Sequence, residues 1–88
     1  MTPRLPRNIS GHQLARAFAA FGYEITRQTG SHLRLTTSTN GQHHVTEPAH
    51  DNLKVGTLSG ILAEVGRHLE LSKAEVSHRI FEQGKPEK

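Results

Sequence analysis

The alternation of apolar and polar residues predicts a sheet in the first half of the chain. Apolar positions recur at every second residue over 23–28 and again over 32–37, and a third short run over 42–47 is centred on Val45. This period is typical of strands that bury one face and expose the other. Glycine-containing segments separate the runs and favour hairpin turns. We therefore expect three antiparallel strands.

The same alternation assigns side chains to the two faces of this sheet. Leu33 and Leu35 point inward, and Ile25 and Val45 are expected to join them in the core. The opposite face is exposed and polar, and His32 and Arg34 lie about 7 Å apart along it. We place five residues on this outer face: Gln28, His32, Arg34, His44 and Thr46.

The turns must preserve this division between the faces. Directly opposed residues share a face, so each hairpin loop needs an odd number of residues or a bulge. Three-residue loops over 29–31 and 39–41 would meet this condition, with Gly41 in the left-handed conformation.

Helix signals flank the predicted strands. Ser10 and Gln13 form a capping box, and Ile9 and Leu14 stand at the positions of a hydrophobic staple. Gly22 is expected to end this first helix, with Phe18 and Tyr23 in contact across its cap. Its buried stripe comprises Leu14, Phe18 and Phe21.

Two further helices are predicted after Pro48, which closes the third strand. We expect Thr57 to cap the second helix, since the apolar spacing starts at the next residue. Ser72 and Glu75 form another capping box, with Leu71 and Val76 as its staple, and open a third helix over about 72–83. The apolar face of the second helix comprises Leu58, Ile61, Leu62 and Val65, and that of the third Val76, Ile80 and Phe81.

This order of elements predicts an α+β fold. An α-β-β-β-α arrangement with both main helices on one face of the sheet resembles the double-stranded-RNA-binding domain. We expect a single domain over 1–88 with its core over about 9–69, a basic arm over 1–8 and a loose tail over 85–88.

Composition restricts the possible functions. A chain of 88 residues buries roughly 60–65% of its unfolded surface, which favours a shallow surface site over a deep cavity. The chain contains no cysteine, which excludes disulfides, thiolate metal sites and cysteine nucleophiles. No signal sequence or membrane-spanning apolar run is present, and we therefore expect a cytoplasmic location.

Charge is distributed unevenly along the chain. Residues 1–44 contain five basic residues and one acidic residue, whereas residues 45–88 contain six basic and seven acidic residues. The half that contains the first hairpin therefore carries a net charge of +4, which suits a polyanionic partner.

Two enzyme classes fit the sequence poorly. His43, His44, Glu47 and His50, with Asp51, are dense in metal-ligand types, but adjacent strand residues face opposite ways, so we expect no metal site. Ser31 adjoins His32, but the glycine pattern of a nucleophile elbow is absent. The start of the second helix, with Lys54 before it, is a candidate phosphate site.

RNA cleavage is the chemistry that the available residues fit best. The 2′-hydroxyl supplies the nucleophile, so the protein needs a proton acceptor, a proton donor and cations beside the phosphate. Histidine serves either proton role near neutral pH, and Arg34 or Arg27 would balance the phosphate charge. Two alternatives remain open: a non-catalytic RNA-binding module and a protein-interaction domain whose partner covers the polar sheet face.

Several segments in a characteristic order resemble the HicA (YcfA-like) toxins. They are Gly22-Tyr23-Glu24, the run from Arg27 to His32, the run from Val45 to His50, Leu53 to Leu58, and Ile61-Leu62. The similarity extends over about 10–65. It implies a double-stranded-RNA-binding-like fold, metal-independent cleavage of mRNA, no cofactor, and inhibition by a HicB-type antitoxin.

The resemblance also implies roles for individual residues. The family's catalytic histidine corresponds to His32, and Gly30 and Ser31 would shape its turn. His50 corresponds to a recurrent family position and is a possible second proton donor. Leu33 departs from the polar residue of many relatives, and the third helix extends beyond the compact toxin.

Overall fold

A computed structural model describes residues 8–81, and its elements follow the predicted order. The strands form one antiparallel sheet in the order β1-β2-β3. Residues 1–7 of the predicted arm, the end of the third helix beyond Phe81, and the predicted tail lie outside the described residues. The elements are α1 (Gly11–Phe18) with a 3-10 turn (Ala19–Phe21), β1 (Glu24–Thr29), β2 (His32–Thr37), β3 (His43–Pro48), α2 (Val55–Leu69) and α3 (Lys73–Phe81).

The helices cover one face of the sheet, as expected for this α+β arrangement. Leu33, Leu35 and Val45 are buried on that face. Within residues 8–81, no helix has the length and apolar character needed to span a membrane. The helices contribute Leu14, Ala15, Phe18, Leu58, Ile61, Leu62, Val65 and Val76 to the same core.

Local capping signals correctly predicted the ends of α1. The Ser10 hydroxyl accepts a hydrogen bond from the Gln13 amide at 3.0 Å, and the Ser10 amide donates to Gln13 Oε1 at 2.8 Å. Gly22 ends the helical segment with a φ of 84°, and the rings of Phe18 and Tyr23 pack with their centroids 5.7 Å apart. The capping box and the apolar contact across the helix end are therefore confirmed.

The prediction that Thr57 caps α2 is wrong. The helix begins at Val55 after Lys54, whose extended backbone stands at the N-cap without a side-chain hydrogen bond. The Leu58 amide donates to the Lys54 carbonyl at 2.9 Å, and the preceding Leu53 amide donates to the Ile9 carbonyl. The helix therefore begins before Thr57, the best local capping residue, because a contact distant in sequence fixes the preceding segment.

The third helix packs on the domain. The Ser72 hydroxyl accepts a hydrogen bond from the Glu75 amide at 3.0 Å, as its capping signal predicted. Val76 is fully buried, and Ile80 and Phe81 are half-buried against the core. The described part of α3 contacts both α2 and α1.

The β1–β2 hairpin differs from the predicted loop. Thr29 pairs with His32, which leaves a two-residue turn, and a bulge at Thr26 restores the facing of the residues beyond it. The expectation that Gln28 lies on the outer face is wrong, because Gln28 opposes Leu33 and opposed residues share a face. Arg27 and Thr29 occupy the outer face instead.

Ile25 is also a correction. It opposes Leu35 on the helix-facing side of the sheet, but 46% of it is exposed because β1 is an edge strand beyond the cover of the helices. The predicted three-residue loop over 39–41 is also wrong, because Thr37 pairs with His43 and leaves a five-residue loop over 38–42. Its length is still odd, as required, and Gly41 has the expected positive φ of 95°.

Candidate functional site

An open cleft of about 360 Å³ occupies the face of the sheet opposite the helices. All three strands contribute to it, because the register places their outward side chains in adjacent rows. It is lined by Arg27, Thr29, His32, Arg34, His44 and Thr46.

A tight turn positions His32 at one end of this cleft. Gly30 adopts a φ of 57°, and open space lies where its side chain would be, so backbone conformation alone favours glycine here. His32 pairs with Thr29 on one side and with Pro48 on the other. Its imidazole is exposed and makes no hydrogen bond to any residue within 8–81.

Two arginines lie next to His32 on the same face of the sheet. Arg27 and Arg34 are directly opposed on β1 and β2. Neither guanidinium forms an ion pair or hydrogen bond with another residue in the described part of the chain. Directly opposed like charges destabilise a strand pair, so this arrangement is unfavourable for folding and favourable for binding an anion.

A chain of hydroxyl groups orients His44 in the cleft. His44 Nδ1 and Thr36 Oγ1 are 2.8 Å apart, and Thr36 Oγ1 lies 2.8 Å from Thr26 Oγ1. The Thr26 hydroxyl in turn donates to the Arg34 carbonyl at 3.3 Å. Thr26, the bulge residue of β1, thus supplies the last hydroxyl in this series of hydrogen bonds.

The structure brings together only part of the predicted site. His32, Arg27 and Arg34 line the cleft, and Gly30 and Ser31 form its turn. The other two predicted residues, His50 and Lys54, are exposed and do not line it: His50 follows β3 and its carbonyl accepts from the Gly11 amide at 3.0 Å, and Lys54 precedes α2.

Three lining residues were not predicted as site residues. His44 and Thr46 were correctly assigned to the outer face, so the alternation along the strand was the available sequence signal that they could border the cleft. Thr29 was missed because its outward position depends on the bulge at Thr26.

His43 belongs to a separate aromatic cluster near the other end of the sheet. The Tyr23 hydroxyl lies 2.8 Å from His43 Nδ1, and His43 stacks on His68 with ring centroids 4.3 Å apart. Burial, followed by the nearby His68, lowers the pKa of His43, and burial with Glu64 raises the pKa of Tyr23 to about 12. Within 8–81, no three His, Asp or Glu side chains are grouped to hold a metal ion.

Glu47 is an unusual residue beneath the cleft. It opposes Leu33 on the inner face and is fully buried, and neither carboxylate oxygen has a hydrogen-bond partner. Burial raises the pKa of Glu47 to about 8, so the carboxyl group is largely protonated at neutral pH. It therefore contributes no full negative charge beneath the arginines.

The fold and the cleft define a small α+β domain with an open, cationic, histidine-bearing sheet face. A family model described as the HicA toxin of bacterial toxin-antitoxin systems matches residues 11–67, from the start of α1 almost to the end of α2. The chain therefore belongs to the HicA toxin family. No curated protein and no solved structure gives a significant match.

Proposed function

We propose that this toxin is a cytoplasmic endoribonuclease that cleaves mRNA by metal-independent acid–base catalysis centred on His32. The observation that carries the proposal is the position of the His32 imidazole beside the opposed Arg27 and Arg34, all three of which have no side-chain partner within residues 8–81. An RNA phosphodiester fits these groups, because its phosphate is an anion that the guanidinium groups can bind and its ribose oxygens exchange protons during cleavage, which an imidazole can catalyse.

The reaction requires two proton transfers. The ribose 2′-oxygen attacks the adjacent phosphorus as its proton passes to a base, and the phosphorus–5′-oxygen bond breaks as an acid protonates the leaving oxygen. The products are a 2′,3′-cyclic phosphate and a 5′-hydroxyl. His32 performs one of these transfers, while Arg27 and Arg34 stabilise the charge that develops on the phosphorane oxygens.

Residues of the turn and two residues outside the cleft complete this proposal. Gly30 and Ser31 hold His32 in the turn, and the Ala49 amide donates to the Ser31 carbonyl at 2.6 Å. That contact brings the segment with His50 towards the turn, so His50 is the candidate for the second proton transfer. Lys54, at the uncapped start of α2, would bind a neighbouring phosphate of the RNA.

An antitoxin of the HicB type is the proposed inhibitor. Membership of a toxin–antitoxin family implies a partner that neutralises the toxin. The cleft is open to solvent on the side without helices, so a partner that presents acidic side chains could cover it without displacing any element of the core.

The decisive experiment is replacement of His32 by alanine. His32→Ala should lose at least a hundredfold of RNA cleavage, the usual scale of a general acid–base contribution. Because the side chain is exposed, the circular dichroism spectrum should not change. His12→Ala, at an exposed position of α1 outside the cleft, is the matched control and should cleave normally.

The alternatives predict different results. A non-catalytic RNA-binding module would bind RNA with strong salt dependence and would leave the strand intact. A protein-interaction domain would not bind RNA. Undiminished cleavage by His32→Ala would refute the assignment of the histidine, and cleavage at a 2′-deoxy site would refute attack by the 2′-hydroxyl.

A further inference from the structure

His44 lies at the opposite end of the cleft from His32. It pairs with Thr36, which stands four residues beyond His32 on β2, roughly 13 Å along the strand. Arg34 occupies the position between them on the same face. His44 is therefore placed to contact a part of the RNA next to the reacting phosphate.

The hydrogen-bond chain favours one tautomer of His44. A carbonyl oxygen only accepts, so the Thr26 hydroxyl donates its single hydrogen to the Arg34 carbonyl. With this assignment Thr36 donates to Thr26, and His44 Nδ1 donates to Thr36. In the neutral imidazole this leaves Nε2 without hydrogen, as a hydrogen-bond acceptor.

The charges around this end of the cleft differ from those at the turn. Glu24 opposes Thr36 on β1 and so lies on the same face, in a row with Thr36 and His44. The two lining arginines stand nearer the turn. Phosphate oxygens only accept hydrogen bonds and would be repelled by Glu24, so an uncharged donor suits an accepting Nε2 better than a phosphate does.

We propose that the His44 end of the cleft binds the nucleoside that flanks the scissile phosphate, with Nε2 accepting a hydrogen bond from a ribose 2′-hydroxyl or a nucleobase N–H group. This inference rests on the proposed function, since it assigns His44 a part in binding the same RNA. His44 is then a specificity-determining residue, and the proton transfers remain at the turn end.

The state of the His44 ring can be measured without RNA. Long-range proton–nitrogen correlation spectra at pH 8 should show a protonated Nδ1 and an unprotonated Nε2. Thr36→Val removes the acceptor of Nδ1 and should shift the ring towards a mixture of tautomers. A wild-type ring that carries its hydrogen on Nε2 would overturn the inference whatever the RNA does.

Binding measurements test the ligand. Fluorescence anisotropy with a single-stranded RNA hexamer is carried out in the His32→Ala background, which prevents cleavage. Addition of His44→Phe keeps a ring but removes the acceptor, and should weaken binding roughly three- to tenfold, the scale of one net hydrogen bond. His44→Gln restores an acceptor and should bind within about twofold of the parent. The matched control is His12→Phe, which should have no effect.

Modified RNAs distinguish the two possible donors. Single 2′-deoxy substitutions at each position test the ribose, and single base exchanges test the nucleobase. One of these changes should cause the same loss as His44→Phe, and the two losses should not add. Additive losses, or binding that His44→Phe leaves unchanged, would overturn the inference alone, whereas an absence of RNA binding would overturn the proposed function as well.

A kinetic measurement separates recognition from catalysis. In the otherwise wild-type chain, His44→Phe should raise KM and leave the pH profile of kcat in place. Loss of one limb of that profile would instead make His44 a proton-transfer group and would overturn its assignment as a recognition residue.

Discussion

The opposed guanidinium groups of Arg27 and Arg34 explain why this sheet face should bind an anion. Each of them is replaceable without loss to the core, because both project from the face opposite the helices. Like charges in directly opposed positions are unfavourable in a strand pair. Folding stability and RNA binding should therefore respond to their removal in opposite directions.

Arg27→Gln tests this opposition. The free energy of unfolding should stay constant or increase by up to about 1 kcal/mol, because the repulsion between the arginines is removed. RNA affinity should fall. A plot of the logarithm of affinity against the logarithm of salt concentration should also become less steep, by about one unit of slope. Urea unfolding and salt titrations measure the two effects.

Arg16→Gln provides the control for net charge. Arg16 is exposed in the last turn of α1 and does not line the cleft. Arg16→Gln removes the same formal charge as Arg27→Gln. If both variants changed the salt dependence of RNA affinity equally, RNA would not bind preferentially at the cleft.

At the scale of secondary-structure elements, the start of α1 is fitted closely to the segment that follows β3. A Cβ atom on Gly11 would come within 2.9 Å of Ala49 Cα, and closer still to the Pro48 carbonyl oxygen. The Gly11 amide also donates to the His50 carbonyl. Backbone atoms cannot move aside as a flexible side chain can, so this position requires glycine for space.

Gly11→Ala should therefore destabilise the protein although alanine is the better helix former. We expect a loss of about 1–3 kcal/mol, the usual effect of inserting a methyl group into a closely packed site. Gly60→Ala is the control, because Gly60 lies inside α2 with open space around it. That change should stabilise by about 0.5–1 kcal/mol. Equal effects of the two changes in urea unfolding would contradict the steric explanation.

Local sequence patterns predict a helix start correctly where contacts between neighbouring residues set it. Ser10 with Gln13 and Ser72 with Glu75 predicted helix starts correctly, because a capping interaction involves residues three positions apart. Thr57 was misleading because contacts distant in sequence set the start of α2.

Sheet faces were predicted less completely than helix starts. His32 and Arg34 were placed correctly because β2 is regular, but Gln28 was misplaced because the bulge at Thr26 has no clear sequence signal. Ile25 has the right facing and remains exposed, since alternation predicts the side of a sheet and not how far the helices extend over it.

At the scale of the whole molecule, two groups make stability depend on pH with opposite signs. The pKa of Glu47 is raised to about 8 by burial, so its stabilising effect is complete below its unfolded pKa and is lost as pH rises towards 8. The pKa of His43 is lowered by burial and by His68, so its effect is present above its unfolded pKa and is lost as pH falls. The Glu47 effect extends from about pH 4.5 to pH 8 and offsets the His43 effect below about pH 6.5, so net stability should fall mainly as pH rises from about 6.5 to 8.

Glu47→Gln separates the two slopes. Glutamine cannot ionise, so the decline between about pH 5 and pH 8 should largely disappear, a difference on the order of 2–4 kcal/mol at pH 9. The variant should instead show the His43 effect alone, a loss of stability as pH falls below about 6.5. Urea unfolding at a series of pH values checks this, and parallel curves for the two proteins would contradict the assignment to Glu47.

The hairpin formed by β1 and β2 supplies His32 and both cleft arginines from one short, continuous stretch of chain. These residues are synthesised before α2. The leucines on the reverse side of the hairpin, however, are covered by side chains of α2, and a lone hairpin is at best marginally stable in water. The cleft therefore acquires its lasting shape only when α2 packs on the hairpin, although its charged residues are made earlier than that helix.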